Sequence, residues 1–156
     1  MAALPPTAFR RATPADATAI RTLVREAYAR WVPLIGREPL PMRADYDDAL
    51  RRHRFDLLQR GPTLLAVIET ALRDDHLWIE NIAVRPERQG QGLGRQLLAA
   101  AEVLAREAGR AELRLLTNAD FASNVALYER CGYAVTAREP FLGGVTVYMR
   151  KLLRTT

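Results

Sequence analysis

The regular spacing of apolar residues after position 92 predicts one long helix. The apolar positions recur every three or four residues and would share one helix face; they are Leu93, Leu97, Leu98, Ala101, Leu104 and Ala105. Gly109 follows at a position typical of a helix C-terminus. This stretch has the strongest helical pattern in the chain.

A second amphipathic stretch lies near the N-terminus. Thr13, Pro14 and Asp16 supply an N-cap residue, a proline suited to the first turn and an acid in that turn. The apolar face that follows contains Ala17, Ile20, Leu23, Val24, Ala27 and Tyr28. Prolines and a glycine between positions 33 and 42 then interrupt regular structure, and a shorter helix is expected from about Arg43 to His53.

Short apolar or alternating runs bounded by turn residues predict the strands. They are expected at 7–12, 55–59, 63–70, 76–84, 111–117, 133–137 and 145–151, with a further helix at 121–130. The order is strand, two helices, three strands, helix, strand, helix and two strands. Strand–helix–strand units imply some parallel pairing with helices against the sheet. The predicted fold class is therefore α/β, with the α+β character of a mixed sheet.

Composition fits one globular domain of 156 residues, with 49% hydrophobic and 26% charged residues. No apolar run approaches the ~18 residues of a membrane span and the start lacks a signal-peptide pattern, so a cytoplasmic protein without a membrane partner is expected. Cys131 is the only cysteine, and His53 and His76 are the only histidines. An intramolecular disulfide is excluded, and no metal site is expected.

The net charge is +5, and Lys151 is the only lysine among 23 basic residues. A basic surface attracts nucleic acid, and it equally attracts an anionic small molecule. Acidic residues are interleaved with the arginines, and no nucleic-acid recognition motif accompanies the charge. We therefore expect no nucleic-acid partner.

The segment Gln89-Gly90-Gln91-Gly92-Leu93-Gly94 lies between a predicted strand and the long helix. Glycines allow close approach of the backbone, and the free N–H groups at a helix start favour an anion. The dinucleotide pattern G-x-G-x-x-G fails from either starting glycine, and no Lys-Ser or Lys-Thr completes a Walker A motif. The residues alone leave a phosphate site and a ligand-free glycine turn both open.

The same segment resembles the Q/R-x-x-G-x-G/A signature of the GNAT acyltransferase superfamily. The preceding residues 79–86 are also similar to those of family members. A separate segment, Asn124-Val-Ala-Leu-Tyr128-Glu-Arg-Cys-Gly132-Tyr133, resembles the family's N-x-x-x-Y-x-x-x-G-F/Y helix. The predicted element order is similar to that family from Phe9 to about Leu152. The resemblance implies a single N-acetyltransferase domain at 7–153, preceded by a disordered segment at 1–6.

The resemblance implies acetyl-CoA as the cosubstrate. In this family the glycine-loop N–H groups hold the diphosphate, and the preceding strand pairs with the pantetheine arm. The implied cofactor-binding residues are Ile82, Ala83, Val84, Gln89, Gly90, Gln91, Gly92, Leu93, Gly94, Arg95 and Asn124. The side chains of Arg88 and Arg95 either contact phosphate or are solvated loop residues. Asn124 either contacts the cofactor arm or satisfies N–H groups at its own helix start.

Two residues are implied to be catalytic. Tyr128 matches the family's helix tyrosine that protonates the leaving thiolate, and the alternative is a core tyrosine on an amphipathic helix. Glu80 is the acid within the strand before the loop; it would deprotonate the amine, bind its charge or point to solvent. Cys131 is expected to be a small packed residue, because this family usually transfers the acetyl group directly.

In this family, acceptor specificity usually comes from the helix–loop–helix after the first strand and from the loop before the last strand. The resemblance therefore implies residues 28–48 and the expected loop at 138–144 here. The first contains Tyr28, Trp31, Met42, Asp45 and Tyr46, which would enclose an amine or simply pack a proline-rich segment. The predicted function is acetyl transfer from acetyl-CoA to an amine of a small molecule, peptide or protein. The alternative is a non-catalytic acyl-CoA sensor. The acceptor stays open, and the resemblance allows a homodimer that no residue pattern here predicts.

Overall fold

The computed structural model describes residues 6–154. Its strands are β1 (Thr7–Arg11), β2 (Arg54–Arg60), β3 (Thr63–Leu72), β4 (Leu77–Val84), β5 (Glu112–Asn118), β6 (Ala134–Phe141) and β7 (Gly144–Leu152). Its α-helices are α1 (Ala17–Tyr28), α2 (Val32–Ile35), α3 (Tyr46–Arg52), α4 (Leu93–Glu107) and α5 (Ala122–Arg130). The sequence predicts a disordered segment at 1–6, and residues 1–5 of it lie outside the described residues.

The seven strands form one sheet in the order β1-β2-β3-β4-β5-β7-β6. Neighbouring strands are antiparallel except β4 and β5, which are parallel. Helix α4 connects these two strands, and a parallel pair requires such a crossover. The predicted α/β class with a mixed sheet is confirmed.

Helices cover both faces of this sheet. On one face, Leu97 and Leu98 of α4 pack with Ile68 of β3 in one buried cluster. On the other face, Ile20 and Leu23 of α1 lie with the opposite side of β3 in a second cluster. Because both faces are covered, β3 is buried from Leu64 to Ala71, as expected for a central strand between two layers.

Helices α1 and α3 begin close to the positions that their capping residues predict, with shifts of a few residues. Pro14–Asp16 forms a 3₁₀ turn before α1, and the carboxylate of Asp16 accepts a hydrogen bond of 2.8 Å from the Thr13 N–H. Helix α3 begins at Tyr46 rather than Arg43, because Asp45 is its N-cap and accepts a bond of 3.1 Å from the Asp48 N–H.

Two sequence-based expectations about loops were wrong. The interrupted segment at 33–42 overlaps α2, whose C-cap is Gly36 with φ of 74°, and a 3₁₀ turn at Leu40–Arg43. The expected loop at 138–144 is mostly strand, because β6 extends to Phe141 and only a tight turn separates it from β7. Pro140 is tolerated because β6 is an edge strand.

Among residues 6–154, no helix has the length and apolar character needed to cross a membrane. The cytoplasmic location stays a prediction.

Candidate active site

The sheet opens beside the glycine loop. The ladder between β4 and β5 runs only from Leu77 to Ile79 on β4, paired with Leu113 to Leu115 on β5. Beyond Ile79, β4 still pairs with β3, and β5 still pairs with β7. The edge of β4 that faces β5 is therefore unpaired from Asn81 to Val84, and strands that part in this way leave a gap for a ligand.

The glycine loop follows this open edge after a 3₁₀ turn at Pro86–Arg88. Gly90 and Gly92 have φ of 80° and 82°, a left-handed conformation that favours glycine. The first intrahelical bond of α4 runs from the Gln96 N–H to the Gly92 carbonyl at 3.2 Å. The N–H groups of residues 93–95 precede that bond and have no acceptor within the helix. The loop thus presents several free donors at a helix start, an arrangement suited to a phosphate.

Close packing brings α5 against the start of α4. A Cβ atom added to Gly94 would lie 2.8 Å from the Cδ2 atom of Leu127. Glycine at this position therefore lets the two helices approach, and the approach carries Asn124 of α5 to the loop.

A cleft, here the loop cleft, runs between α1, the loop and α5. Ten of the eleven residues that the sequence analysis assigned to acetyl-CoA line it: Ile82, Ala83, Val84, Gln89, Gly90, Gly92, Leu93, Gly94, Arg95 and Asn124. Gln91 does not line it; its side-chain nitrogen lies 3.5 Å from the Glu87 carbonyl oxygen. The side chain of Gln89 donates to the Val84 carbonyl at 3.1 Å, which braces the turn from β4.

The loop cleft is strongly basic. Arg30, Arg88, Arg95 and Arg130 line it, and no acidic residue within 6–154 does. The guanidinium of Arg30 lies 4.2 Å from the ring centroid of Trp31 and donates to the Ser123 hydroxyl at 2.9 Å. The sequence analysis missed Arg30 and Arg130 because an arginine on a helix usually faces solvent.

A second cleft, the tyrosine cleft, adjoins the first, since Tyr28 and Ile82 line both. Its cavity volume is about 110 Å³, smaller than the ~300–1,000 Å³ of sites for drug-sized ligands, so it suits a small group. The predicted catalytic residues Tyr128 and Glu80 both line it. Helix α5 and strand β4 therefore bring these two residues to one cleft, although they are almost fifty positions apart in sequence.

Tyr128 is buried on α5, and its ring packs edge-on against Tyr133 with centroids 6.0 Å apart. Its hydroxyl has no hydrogen-bond partner within residues 6–154. Burial raises the pKa of Tyr128 above its ordinary value. The hydroxyl is therefore protonated at neutral pH and free to donate.

Glu80 is the extra residue of a β-bulge. Glu69 pairs with Asn81 and Thr70 pairs with Ile79, so Glu80 has no partner on β3. The indole N–H of Trp78 donates to a Glu80 carboxylate oxygen at 2.6 Å. Glu80 is exposed toward the tyrosine cleft, and Trp78 holds its carboxylate in place.

The other acid in this part of the sheet is Glu69, which the sequence analysis did not single out. Its carboxylate lies 2.7 Å from the Nδ1 atom of His53, and both side chains are almost fully buried. Burial raises the pKa of Glu69, while the hydrogen bond with His53 opposes the increase. Glu69 does not line the tyrosine cleft, so Glu80 is the carboxylate that a ligand there would meet.

The residues expected to set acceptor specificity divide among several roles. Tyr28 lines both clefts, whereas Trp31 lines only the loop cleft. Met42 and Tyr46 are buried in the core, and Asp45 caps α3. Cys131 lines neither cleft and is half-buried against the core cluster of α4.

No cluster of three or more His, Cys, Asp or Glu side chains suited to a metal occurs in the described part of the chain. The free loop donors, the arginines and the open edge of β4 together fit a long ligand with a phosphorylated end.

Comparisons with known proteins identify the family. The model of the acetyltransferase (GNAT) family matches residues 18–133. An aminoglycoside N(6')-acetyltransferase type 1 from Stenotrophomonas maltophilia is 31% identical, over 83% of this chain and 88% of the relative.

Solved structures share the fold. PaiA N-acetyltransferase from Thermoplasma acidophilum, in complex with coenzyme A, has a TM-score of 0.82 at 19% identity, covering 94% of this chain and 99% of that one. The ribosomal-protein-S18-alanine N-acetyltransferase from Escherichia coli has a TM-score of 0.78 at 22% identity, covering 97% and 96%. The chain therefore belongs to the GNAT acetyltransferase family and transfers an acetyl group from acetyl-CoA to an amine.

Proposed function

We propose that acetyl-CoA binds in the loop cleft and the acceptor amine in the tyrosine cleft. The observation that carries this proposal is the end of the β4–β5 ladder at Ile79, which leaves one edge of β4 unpaired from Asn81 to Val84. The unpaired backbone of β4 offers hydrogen bonds to the two amides of a pantetheine arm. The two clefts meet at Ile82, where the thioester would reach the amine.

The positive charge of the loop cleft supports binding of acetyl-CoA with its phosphates in that cleft and its thioester near Ile82. The diphosphate accepts hydrogen bonds from the free N–H groups that begin α4, and Arg88 and Arg95 add charge-assisted bonds. Arg30 and Arg130, at the other wall of the cleft, supply further positive charge for the remaining phosphate. Asn124 also lines the loop cleft, and its side chain makes no hydrogen bond within residues 6–154. Its amide is therefore available to contact the pantetheine arm.

Tyr128 is proposed as the general acid. Nucleophilic attack forms a C–N bond and breaks the C–S bond of the thioester, and the departing sulfur needs a proton. Tyr128 holds that proton because burial raises its pKa. Its free hydroxyl lines the cleft where the thioester carbon would lie, and it recovers a proton from solvent after transfer.

Glu80 is proposed as the general base. An amine attacks only when uncharged, and the transferred nitrogen must also lose a proton. The exposed carboxylate of Glu80 lies on the wall of the tyrosine cleft and is held by Trp78. It accepts the proton directly or through a water molecule.

The acceptor is proposed to be a small amine. The similar enzyme from Stenotrophomonas maltophilia is an aminoglycoside acetyltransferase, and aminoglycosides carry several positive charges. Glu80 is the only carboxylate that lines the tyrosine cleft within residues 6–154. A single carboxylate can neutralise one ammonium group but not the several charges of an aminoglycoside. An aminoglycoside is therefore the second candidate for the acceptor. A homodimer stays a prediction.

The test combines binding and turnover. Calorimetry with acetyl-CoA should detect one site per chain, and thiol release should follow addition of an amine from a broad panel. Glu80→Gln should lower kcat/KM at least tenfold, by loss of the base. Glu87→Gln, which removes an exposed acid outside both clefts, should leave kcat/KM unchanged. Absence of acetyl-CoA binding would overturn the assignment of the loop cleft, and equal rates in both variants would overturn the base.

A further inference from the structure

Arg37 is a cation of the tyrosine cleft that the acetyl-transfer scheme does not use. It follows Gly36 at the end of α2 and lines the cleft. Its Nε atom is buried without a hydrogen-bond acceptor in the described part of the chain. Its Nη1 atom reaches only the Glu38 backbone carbonyl, at 3.5 Å. Its Nη2 atom makes no hydrogen bond within residues 6–154, so the guanidinium has N–H donors to offer a ligand in the cleft.

No carboxylate within residues 6–154 neutralises Arg37. The neighbouring Glu38 pairs instead with Arg25, with 3.1 Å between the Nη2 and Oε2 atoms. The acid Glu80 belongs to β4 and forms no ion pair with Arg37. The tyrosine cleft therefore carries one positive and one negative side chain, and each is available to a ligand.

Exposed apolar side chains line the same cleft as these two charges. Leu40, Leu116 and Phe141 line the cleft although 55%, 46% and 43% of their surfaces are exposed. The guanidinium carbon of Arg37 lies 5.6 Å from the ring centroid of Phe141. Large apolar side chains exposed around a cleft indicate that an apolar group covers them when the site is filled.

We propose that Arg37 binds a carboxylate of the acceptor, and that the acceptor is an apolar amino acid or a similar amine that carries a carboxylate. A guanidinium with free N–H donors is suited to a carboxylate. The amine lies toward Glu80 and Tyr128, and the apolar side chain covers Leu40 and Phe141. Arg37 repels polyamines and aminoglycosides, which have no anionic group to offer it. The inference rests on the proposed binding of the acceptor in the tyrosine cleft.

The experiment compares L-leucine with 3-methylbutylamine, the same molecule without its carboxylate, by thiol release from acetyl-CoA. The measured quantity is the ratio of their kcat/KM values. This ratio should fall on the order of tenfold or more in Arg37→Gln, because a charge-assisted hydrogen bond is lost. A change in the ratio between variants is independent of the different basicities of the two amines.

Arg43→Gln is the matched control, because it removes an exposed arginine from the same segment but outside the cleft. It should leave the ratio unchanged. Arg37→Lys, which keeps the charge but not the planar guanidinium, should give an intermediate ratio. Calorimetry with acetyl-CoA establishes that each variant is folded.

The possible outcomes are distinct. An unchanged ratio in Arg37→Gln overturns the role of Arg37. Higher kcat/KM of the wild type for spermidine or kanamycin than for L-leucine overturns the acceptor class, while the proposed function stands. Absence of thiol release with every amine overturns the proposed function, and this inference with it.

Discussion

The hydroxyl of Tyr28, on α1, donates a hydrogen bond of 2.6 Å to the side-chain oxygen of Asn81, on β4. The same hydroxyl lies 3.1 Å from the Ile82 carbonyl oxygen. Both partners belong to the part of β4 that has separated from β5. Tyr28 therefore supplies a hydrogen bond to Asn81 in the separated part of β4. This bond connects α1 to the strand that borders both clefts.

Tyr28→Phe should destabilise the protein by about 1–3 kcal/mol, because the buried side-chain oxygen of Asn81 loses its donor. Denaturant unfolding measures this change. Tyr148→Phe is the control, since its hydroxyl donates to Glu139 at 3.2 Å on the exposed surface. That variant should change stability by less than about 0.5 kcal/mol. A similar loss in both variants would contradict a special role for the bond to Asn81.

Tyr128→Phe should lower kcat by about 10² or more, with unchanged affinity for acetyl-CoA, because only the proton donor is removed. Tyr133→Phe is the neighbouring control: its hydroxyl is buried without a partner within residues 6–154. Removing that hydroxyl should leave kcat unchanged and should not lower stability. Steady-state kinetics and calorimetry separate turnover from binding, and a loss confined to affinity would rule out the acid role.

Gly92→Ala should weaken acetyl-CoA binding. Alanine in the left-handed conformation at φ of 82° costs about 1–2 kcal/mol, and relaxation of the loop reorients its free N–H groups. Gly109→Ala places the same strain, at φ of 71°, behind the end of α4 and outside the loop cleft. Both variants should lose stability, but only the first should lose affinity by calorimetry. Equal affinities would show that the loop backbone does not hold the cosubstrate.

Asp16→Asn should destabilise the protein in a pH-dependent way. Hydrogen bonds from Arg10, at 2.8 and 2.9 Å, hold the pKa of Asp16 down to about 2. A lowered carboxyl pKa stabilises the folded state above about pH 4, and this contribution disappears as the pH falls through about 2. Because Arg10 is partly exposed and solvent screens the pair, we expect at most about 1 kcal/mol at pH 7.

Unfolding of the wild type and Asp16→Asn should therefore differ at neutral pH and converge toward pH 2. Asp47→Asn, at an exposed acid in the first turn of α3, should change stability by only a few tenths of a kcal/mol. A difference between wild type and Asp16→Asn that persists undiminished at pH 2 would exclude the ion pair as its source.

Local signals were sufficient for the features that depend on neighbours in sequence. Helix α4 was predicted because its hydrogen bonds and apolar stripe connect residues three or four positions apart. Gly92 stands where the backbone needs a positive φ, so the loop was recognisable without tertiary contacts. The extended β6 was missed, because Pro140 signals a loop unless the strand lies at an edge, and edge position is a property of the whole sheet.

The amino-acid order thus determined the elements, the phosphate-type loop and the family resemblance. Only the folded chain decided which side chains share a cleft. Tyr28 and Asn81 are 53 positions apart, and their bond depends on how α1 crosses the sheet. Arg37, which follows α2, and Glu80 of β4 likewise line one cleft although they are far apart in sequence. Periodicity carries no information about such long-range pairs, because packing of distant elements sets the distance between them.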